Sequence, residues 1–318
     1  MYSKLLVPLD GSQLSETILP YARFVSMALK LPVELLRITG LGAVSALPYP
    51  RFGRFFAAGE ADMKRRGKVY LETVARSFPQ SSIINHSVEF GDPAEVIMAK
   101  AAAHSGTLIA MSTRGRSSVQ RWVVGSVADE VLHASANPLL LVKSEATSGT
   151  SGEEALESVL VPLDGSPLAE LALPHVVALA RENKLRVVLL LVYSNAPKDY
   201  IAAAFMPGPQ QAAVSSKQGA KCYLERKAQE LRSEGLENVS WLLVEGDAPS
   251  EIVKIARQMT NNLVAMCTHG RSGITRWVLG SVTYHTVRHC GDPVLVIRAP
   301  AAHGNGKVRE ILQTNAVH

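Results

Sequence analysis

The chain has 318 residues, of which 47% are hydrophobic, with a formal net charge of +5 and a pI near 9.1. These values predict about two domains, each with an ordinary hydrophobic core, and they exclude an intrinsically disordered chain. No apolar run reaches the roughly 18 residues that cross a bilayer, so we expect neither membrane insertion nor a secretory signal. The three cysteines all lie in the second half, which predicts no disulfide framework and favours the reducing cytoplasm. Basic residues are dispersed, so no specific nucleic-acid site is expected.

Strands and helices alternate through the first half of the sequence. KLLVPL is a predicted strand that ends at Asp-Gly, and the helical spacing that follows contains Pro20, which either kinks the helix or marks a start. The remaining predicted elements are strand VELLRI, helix MKRRGKVYLETVARSF, strand INHSVEF, helix DPAEVIMAKAAA, strand TLIAMS, helix SVADEVLHAS and strand PLLLVK.

The second half repeats the first. LLVPLDGSQLSETILPYA aligns with VLVPLDGSPLAELALPHV, and Gly125 recurs as Gly280, 155 residues later. The polar stretch EATSGTSGEE lies between the copies and has the composition of a flexible linker. The repeat predicts a first domain at 1–144, a linker at 145–156, a second domain at 157–299 and a tail at 300–318.

This alternation predicts an α/β fold with one parallel sheet per domain, covered by helices on both faces. Right-handed crossovers make each domain doubly wound and Rossmann-like. An apolar edge strand invites a partner, so the two halves could pair through their fifth strands.

Ligands of doubly wound sheets bind beyond the carboxyl ends of strands, where the strand order reverses. PLDGS follows the first strand, and the glycine-punctuated TRGRSSVQRWVVGSV follows the fourth. If these strands are neighbours, Asp10 and Gly115 face one crevice, and Asp164 and Gly270 face its equivalent.

The residues of this crevice suit a polyphosphate. Small residues let backbone amides approach an anion, and the Gly-Ser pairs at 125–126 and 280–281 open helices whose N-termini attract negative charge. Asp10 and Asp164 could accept hydrogen bonds from a ribose hydroxyl or an adenine amine. Read by themselves, Asp-Gly can be only a turn and Gly-Ser only a helix cap.

Three motifs resemble the universal stress protein family over nearly 140 residues of each half. They are VPLDGS, GDPAEVI or GDAPSEIV, and a Gly-x9-Gly-Ser segment that ends before NPLLLV or DPVLVI. The resemblance implies a tandem member with two Rossmann-like (adenine nucleotide alpha hydrolase-like) domains, each with a five-stranded parallel sheet in the order 3-2-1-4-5. For one branch of the family it also implies ATP bound at Gly-x2-Gly-x9-Gly-[Ser/Thr].

The resemblance predicts one nucleotide-contacting set in each half. The basic residues beside the motif could add phosphate contacts or be only exposed loop charges. In the first half the set is Pro8, Asp10, Ile38, Met111, Ser112, Arg114, Gly115, Arg116, Gly125, Ser126 and Val127. In the second half it is Pro162, Asp164, Val192, Met266, Cys267, His269, Gly270, Arg271, Gly280, Ser281, Val282 and Thr283.

The two sets differ from the family pattern and from each other. Ser112 and Cys267 stand where the motif has its first glycine, and their Cβ atoms disfavour a positive φ. Thr283 replaces Ala128 and is expected to add a phosphate donor. Because Gly273 also loosens its loop, we expect the second site to bind at least as well as the first.

The leading hypothesis is an ATP-binding, nucleotide-dependent regulator of a stress response, not an efficient enzyme, with ATP bound with or without magnesium. No P-loop and no G-x-S-x-G elbow occurs, and the histidines lack zinc-ligand spacing. One alternative is a slow ATPase or phosphotransferase with a metal at Asp10 or Asp164. Another is a scaffold that binds no nucleotide and pairs through its fifth strands. We expect a homodimer or an intramolecular pseudo-dimer. The segments 40–61 and 194–211 are either mobile lids or partner surfaces, or loops that only wrap the core.

Overall fold

A computed structural model describes residues 2–39, 53–114, 124–143, 156–193, 214, 216–268 and 279–298. The first half contains β1 (Lys4–Leu9), α1 (Gln13–Glu16), α2 (Leu19–Ala28), β2 (Val33–Thr39), α3 (Gly53–Ala75), β3 (Ile84–Phe90), α4 (Pro93–Ala102), β4 (Thr107–Ser112), α5 (Ser126–Ala134) and β5 (Leu139–Val142). The second half contains β6 (Ser158–Leu163), α6 (Pro167–Glu170), α7 (Leu173–Asn183), β7 (Arg186–Tyr193), α8 (Lys217–Ser233), β8 (Val239–Glu245), α9 (Ala248–Ala256), β9 (Asn262–Cys267), α10 (Ser281–His289) and β10 (Val294–Ile297).

Two predicted segments differ from the structure. Pro20 lies in the first turn of α2, where its missing N–H costs no helical hydrogen bond. It therefore marks the start of α2 and does not kink a longer helix. The short α1 before it is capped by the Ser12 hydroxyl, which accepts from the Ser15 amide at 3.1 Å. α3 begins at Gly53, so the second part of the segment 40–61 is helical and not a loop. Residues 40–52 and 194–213 lie outside the described residues.

The strands form one ten-stranded sheet in the order β3-β2-β1-β4-β5-β10-β9-β6-β7-β8. Pairing is parallel within each half, and each half has the predicted order 3-2-1-4-5. The order reverses beside β1, which pairs with β2 on one side and β4 on the other. The predicted adjacency of the first and fourth strands is therefore confirmed, and it places the ends of both strands at one crevice.

The two halves join where β5 meets β10 in antiparallel register, with Leu140 opposite Leu295. The predicted pairing of the fifth strands is therefore confirmed, and the two strands belong to one chain. The guanidinium of Arg298 donates to the carbonyl oxygens of Val131 and Leu132 at the end of α5, where the helix dipole favours a cation. Burial lowers the pKa of Arg298 to about 10.

Helices cover both faces of the sheet. One apolar core lies under α2, α3, α7 and α8, and the other lies under α4, α5, α9 and α10. All six residues of β4 and of β9 are buried, as expected for parallel strands with helices on both sides. Within the ranges given above, no helix is both long and apolar enough to span a bilayer.

Candidate nucleotide site

Each half has a cavity at the carboxyl ends of its first and fourth strands. The first cavity measures about 250 Å³ and the second about 360 Å³. Described residues at equivalent positions line both. In the first half they include Pro8, Leu9, Asp10, Ser15, Ile38, Pro93, Ile97, Met111, Ser112, Thr113, Arg114, Gly125, Ser126, Val127 and Ala128. In the second half they include Pro162, Leu163, Asp164, Ala169, Leu190, Val192, Ala248, Ile252, Met266, Cys267, Thr268, Gly280, Ser281, Val282 and Thr283.

One wall of each cavity is the turn after the first strand. A carboxylate oxygen of Asp10 accepts from the Ser12 amide at 2.8 Å and from the Ser12 hydroxyl at 2.6 Å. Asp164 accepts from the Ser166 amide at 2.9 Å. Both are Asx turns, and the glycine that follows each Asp has a φ near +79°, which side chains disfavour. The interpretation of Asp-Gly as a turn is therefore correct, and the turn holds the carboxylate at the cavity.

The opposite wall is the N-terminus of α5 or α10. Gly125 is the N-cap of α5 and Gly280 that of α10, and neither helix receives a side-chain cap. The Gly125 amide donates to the Thr113 carbonyl at 2.7 Å, and the Gly280 amide donates to the Thr268 carbonyl at 2.8 Å. The amides of these two glycines are therefore already paired within the protein.

The anion-binding capacity of this wall lies one residue further along. In the described part of the structure, no hydrogen bond reaches the amides of Ser126 and Val127, which belong to the first turn of α5. The same holds for Ser281 and Val282 in α10. Unpaired first-turn amides at the positive end of a helix dipole are suited to an anion.

Glycine is not required at the two helix caps by backbone conformation. The φ and ψ angles are −63° and 150° at Gly125 and −61° and 141° at Gly280, which any residue adopts. Since both glycines line a cavity, the missing side chain leaves room for a ligand beside the helix. Larger residues could adopt these backbone angles and would occupy part of that room.

Ser112 and Cys267 are the last residues of β4 and β9. The predicted strain is absent, because among the described non-glycine residues only Lys30, Lys184 and Asn261 have positive φ. The Ser112 hydroxyl accepts from the Arg114 amide at 3.2 Å and donates to the Arg114 carbonyl at 2.9 Å. Serine thus stabilises the bend through which the chain leaves β4.

Arg114 lines the first cavity. Its Nε and Nη2 atoms are buried, and the described residues offer them no hydrogen-bond acceptor. Buried guanidinium donors normally have a partner, because leaving a charged donor unsatisfied is costly. Arg114 is therefore a candidate donor to an anion in the first cavity.

Thr283 does not provide the additional phosphate donor that the sequence predicted. It is buried, and its hydroxyl donates to the Cys267 carbonyl at 2.9 Å, which ties α10 to the end of β9. A hydroxyl has one hydrogen, so this geometry leaves none for a phosphate. The predicted extra donor is therefore a packing contact.

Most of the remaining lining of each cavity is apolar. Met111 and Met266 are buried in the sheet, while Ile38 and Val192 are partly buried beside them. Ile97 of α4 and its equivalent Ile252 of α9 also belong to this apolar lining, and neither residue was predicted from the sequence. A signal was available, because Pro93 and Ile97 are four residues apart on one helical face. An apolar chamber beside an anion-binding helix end could hold a nucleoside and its phosphates.

Several predicted residues lie outside the described part of the chain: Gly115, Arg116, His269, Gly270 and Arg271. Among the side chains that the structure does describe, no group of three acids, histidines or cysteines could hold a metal ion. His285 and His289 stack with their ring centroids 4.1 Å apart, and burial together with the charge of His289 lowers the pKa of His285.

Comparison with solved structures identifies the fold. A universal stress protein from Archaeoglobus fulgidus is 19% identical, with a TM-score of 0.65 over 93% of this chain and 98% of its own. A putative universal stress protein from Pseudomonas aeruginosa is 15% identical, with a TM-score of 0.60 over 93% of each chain. At these identities the likeness establishes the architecture alone.

Sequence comparison agrees over nearly the full length. Universal stress protein Rv2005c of Mycobacterium tuberculosis is 22% identical over 295 residues, covering 92% of this chain and 96% of the relative. Universal stress protein MJ0577 of Methanocaldococcus jannaschii is 29% identical over 154 residues, 45% of this chain. The sequence model of the universal stress protein family matches twice, at residues 1–143 and 156–298. The chain therefore belongs to the universal stress protein family and carries two copies of its domain.

Proposed function

We propose that this protein binds ATP in each of its two cavities and acts as a nucleotide-dependent regulator of a stress response. The observation that carries the proposal is the recurrence of one arrangement in both halves. In each, an apolar chamber at the switch point of the sheet adjoins a helix N-terminus with unpaired first-turn amides.

The chemistry of the lining is consistent with an adenine nucleotide. Met111, Ile38 and Ile97 provide apolar surface for a base, and the Asx-turn carboxylate of Asp10 lies on the same cavity as an acceptor for ribose or adenine. The amides of Ser126 and Val127 would receive phosphate oxygens. The family resemblance of the Gly-x9-Gly-Ser segment supports ATP over other anions.

The proposed role is binding and not turnover. The Asp10 carboxylate is paired with the Ser12 hydroxyl at 2.6 Å, but this contact belongs to the Asx turn, and we expect ATP hydrolysis to be weak. The pairing of β5 with β10 is compatible with nucleotide binding, because the cavities open at the ends of other strands. A cytoplasmic location belongs to this proposal and is consistent with the three free cysteines.

The test is to fill each cavity separately. ATP binding is measured by isothermal titration on the wild-type chain, Gly125→Trp, Gly280→Trp and the double variant, with circular dichroism as the folding control. We expect two bound nucleotides in the wild type, one in each single variant and none in the double variant. Undiminished ATP binding by a folded double variant would overturn the proposal, as would a wild-type chain that binds no adenine nucleotide.

A further inference from the structure

The guanidinium of Arg114 has no counterpart among the described residues that line the second cavity. It lies directly after the Ser112 bend, at the cavity that the first turn of α5 also borders. Its Nε and Nη2 atoms are buried and have no acceptor within the described structure. At the equivalent position of the second half the sequence has His269.

Charge and geometry together indicate what could satisfy Arg114. Two guanidinium N–H groups on one edge match two oxygens of a phosphate, and such paired bonds are stronger than those of neutral donors. One carboxylate oxygen of Asp10, the acid of this cavity, already accepts from the amide and hydroxyl of Ser12. Adjacent first-turn amides of α5 would bind the same anion from another side.

Among the described residues and the residue aligned with Arg114, the second cavity has fewer charged donors for a phosphate. Histidine is largely neutral near pH 7 and has no pair of parallel donors. Thr283, which could have compensated, donates its hydroxyl to the Cys267 carbonyl. The second cavity is also larger, at about 360 Å³ against about 250 Å³.

We infer that Arg114 determines ligand specificity, making the first cavity the tighter site for the polyphosphate of a nucleotide and the more dependent on ligand charge. The inference rests on the proposed function, because it assigns unequal roles to two nucleotide sites. It reverses the expectation that the second site binds at least as well as the first.

The experiment isolates the first site by using Gly280→Trp as the background, in which the second cavity is filled. Binding of ATP, adenosine and inorganic tripolyphosphate is measured at low and high salt for this chain and for its Arg114→Gln and Arg114→Lys derivatives. Arg186→Gln removes the same charge from an exposed residue at the start of β7 and is the matched control. Circular dichroism confirms that each variant is folded.

We expect Arg114→Gln to weaken ATP and tripolyphosphate binding about 10- to 100-fold, the usual range for losing a hydrogen bond to a charged group. Adenosine affinity should change less than about threefold, and the salt dependence of ATP binding should fall, since a charge contact is screened by ions. Arg114→Lys should recover part of the affinity, and Arg186→Gln should match its background.

Two failures can be told apart. If the background chain and the wild type bind no nucleotide, the proposed function is wrong. If both bind ATP but Arg114→Gln binds it equally well, or loses adenosine as much as ATP, nucleotide binding stands and the role of Arg114 is overturned.

Discussion

The two cavities have equivalent backbone arrangements and differ in their side chains. Both have the Asx turn, the glycine-capped helix and the buried methionine at equivalent positions. Arg114 and Ala128 belong to the first cavity, whereas the second has His269 in the sequence and Thr283 in the structure. Under the proposed function, the backbone would provide one anion site in each half, and the side chains would decide how strongly binding at each site depends on the charge of the ligand.

The junction between the halves shows the same divergence. The Tyr284 hydroxyl donates to an Asp129 carboxylate oxygen at 3.3 Å, and these residues occupy equivalent positions, 155 residues apart. In a symmetric dimer such a position would meet its own copy, Asp against Asp or Tyr against Tyr. Joining the copies in one chain permits an unlike pair, to which Arg288 adds a cation–π contact with Tyr284 at 5.5 Å.

The largest stability difference between equivalent positions is expected at the Asx turns. Gly165 has a φ of +79°, and a Cβ there would lie 2.6 Å from Val214 Cγ2. We expect Gly165→Ala to lower the free energy of unfolding by about 2–4 kcal/mol, from backbone strain and the clash. Gly11→Ala, at a φ of +78°, should lower the free energy of unfolding by about 1–2 kcal/mol through its backbone conformation. Chemical denaturation measures both.

Gly59→Ala is the control for these variants, because nothing lies within 4 Å of its added Cβ in α3. It should be neutral or stabilising by about 0.5–1 kcal/mol, the helical preference for alanine. A Gly165→Ala chain as stable as Gly59→Ala would show that the turn does not need glycine.

A smaller and pH-dependent difference is expected where Asn137 of one half corresponds to Asp292 of the other. Asn137 donates to the Thr107 carbonyl at 3.1 Å, whereas burial raises the pKa of Asp292 to about 6. A raised folded-state pKa means that the folded chain binds more protons, so this group's contribution to stability falls as pH rises from about 4 through about 6. We expect Asp292→Asn to stabilise the chain by about 1–2 kcal/mol at pH 7, after allowance for partial solvent screening.

The check is the free energy of unfolding of the wild type and Asp292→Asn between pH 4 and pH 8. The advantage of the variant should vanish near pH 4, where the aspartic acid is protonated in the folded chain. A constant difference across this range would show that the ionisation of Asp292 is not its cause.

The smallest effect is expected at the junction. Asp129→Tyr and Tyr284→Asp should each destabilise the chain, because they place like residues against each other, and the exchange of both should restore much of the loss. For a partly exposed pair the coupling should be about 0.5–1 kcal/mol. A double-mutant cycle by thermal unfolding measures it, and strictly additive losses would contradict a specific pair.

Much of the architecture was predictable from local pattern. The β3 and β4 bounds coincide with INHSVEF and TLIAMS, because apolar strand runs ended by turn residues are a local signal. The repeat predicted the same order of strands and helices in both halves. The helix after β1 was less certain from sequence, because Pro20 permits either a kink or a start.

The sequence by itself determined the strands, the Asp-Gly turns, the glycine-capped helices and the twofold repetition, since each depends on residues near one another in the chain. The tertiary structure alone decided which polar groups remain for a ligand. Gly125 loses its amide to Thr113 and Thr283 its hydroxyl to Cys267, while two nitrogens of Arg114 receive no described partner. Hydrogen-bond partners from distant segments are set by packing, which no local pattern encodes.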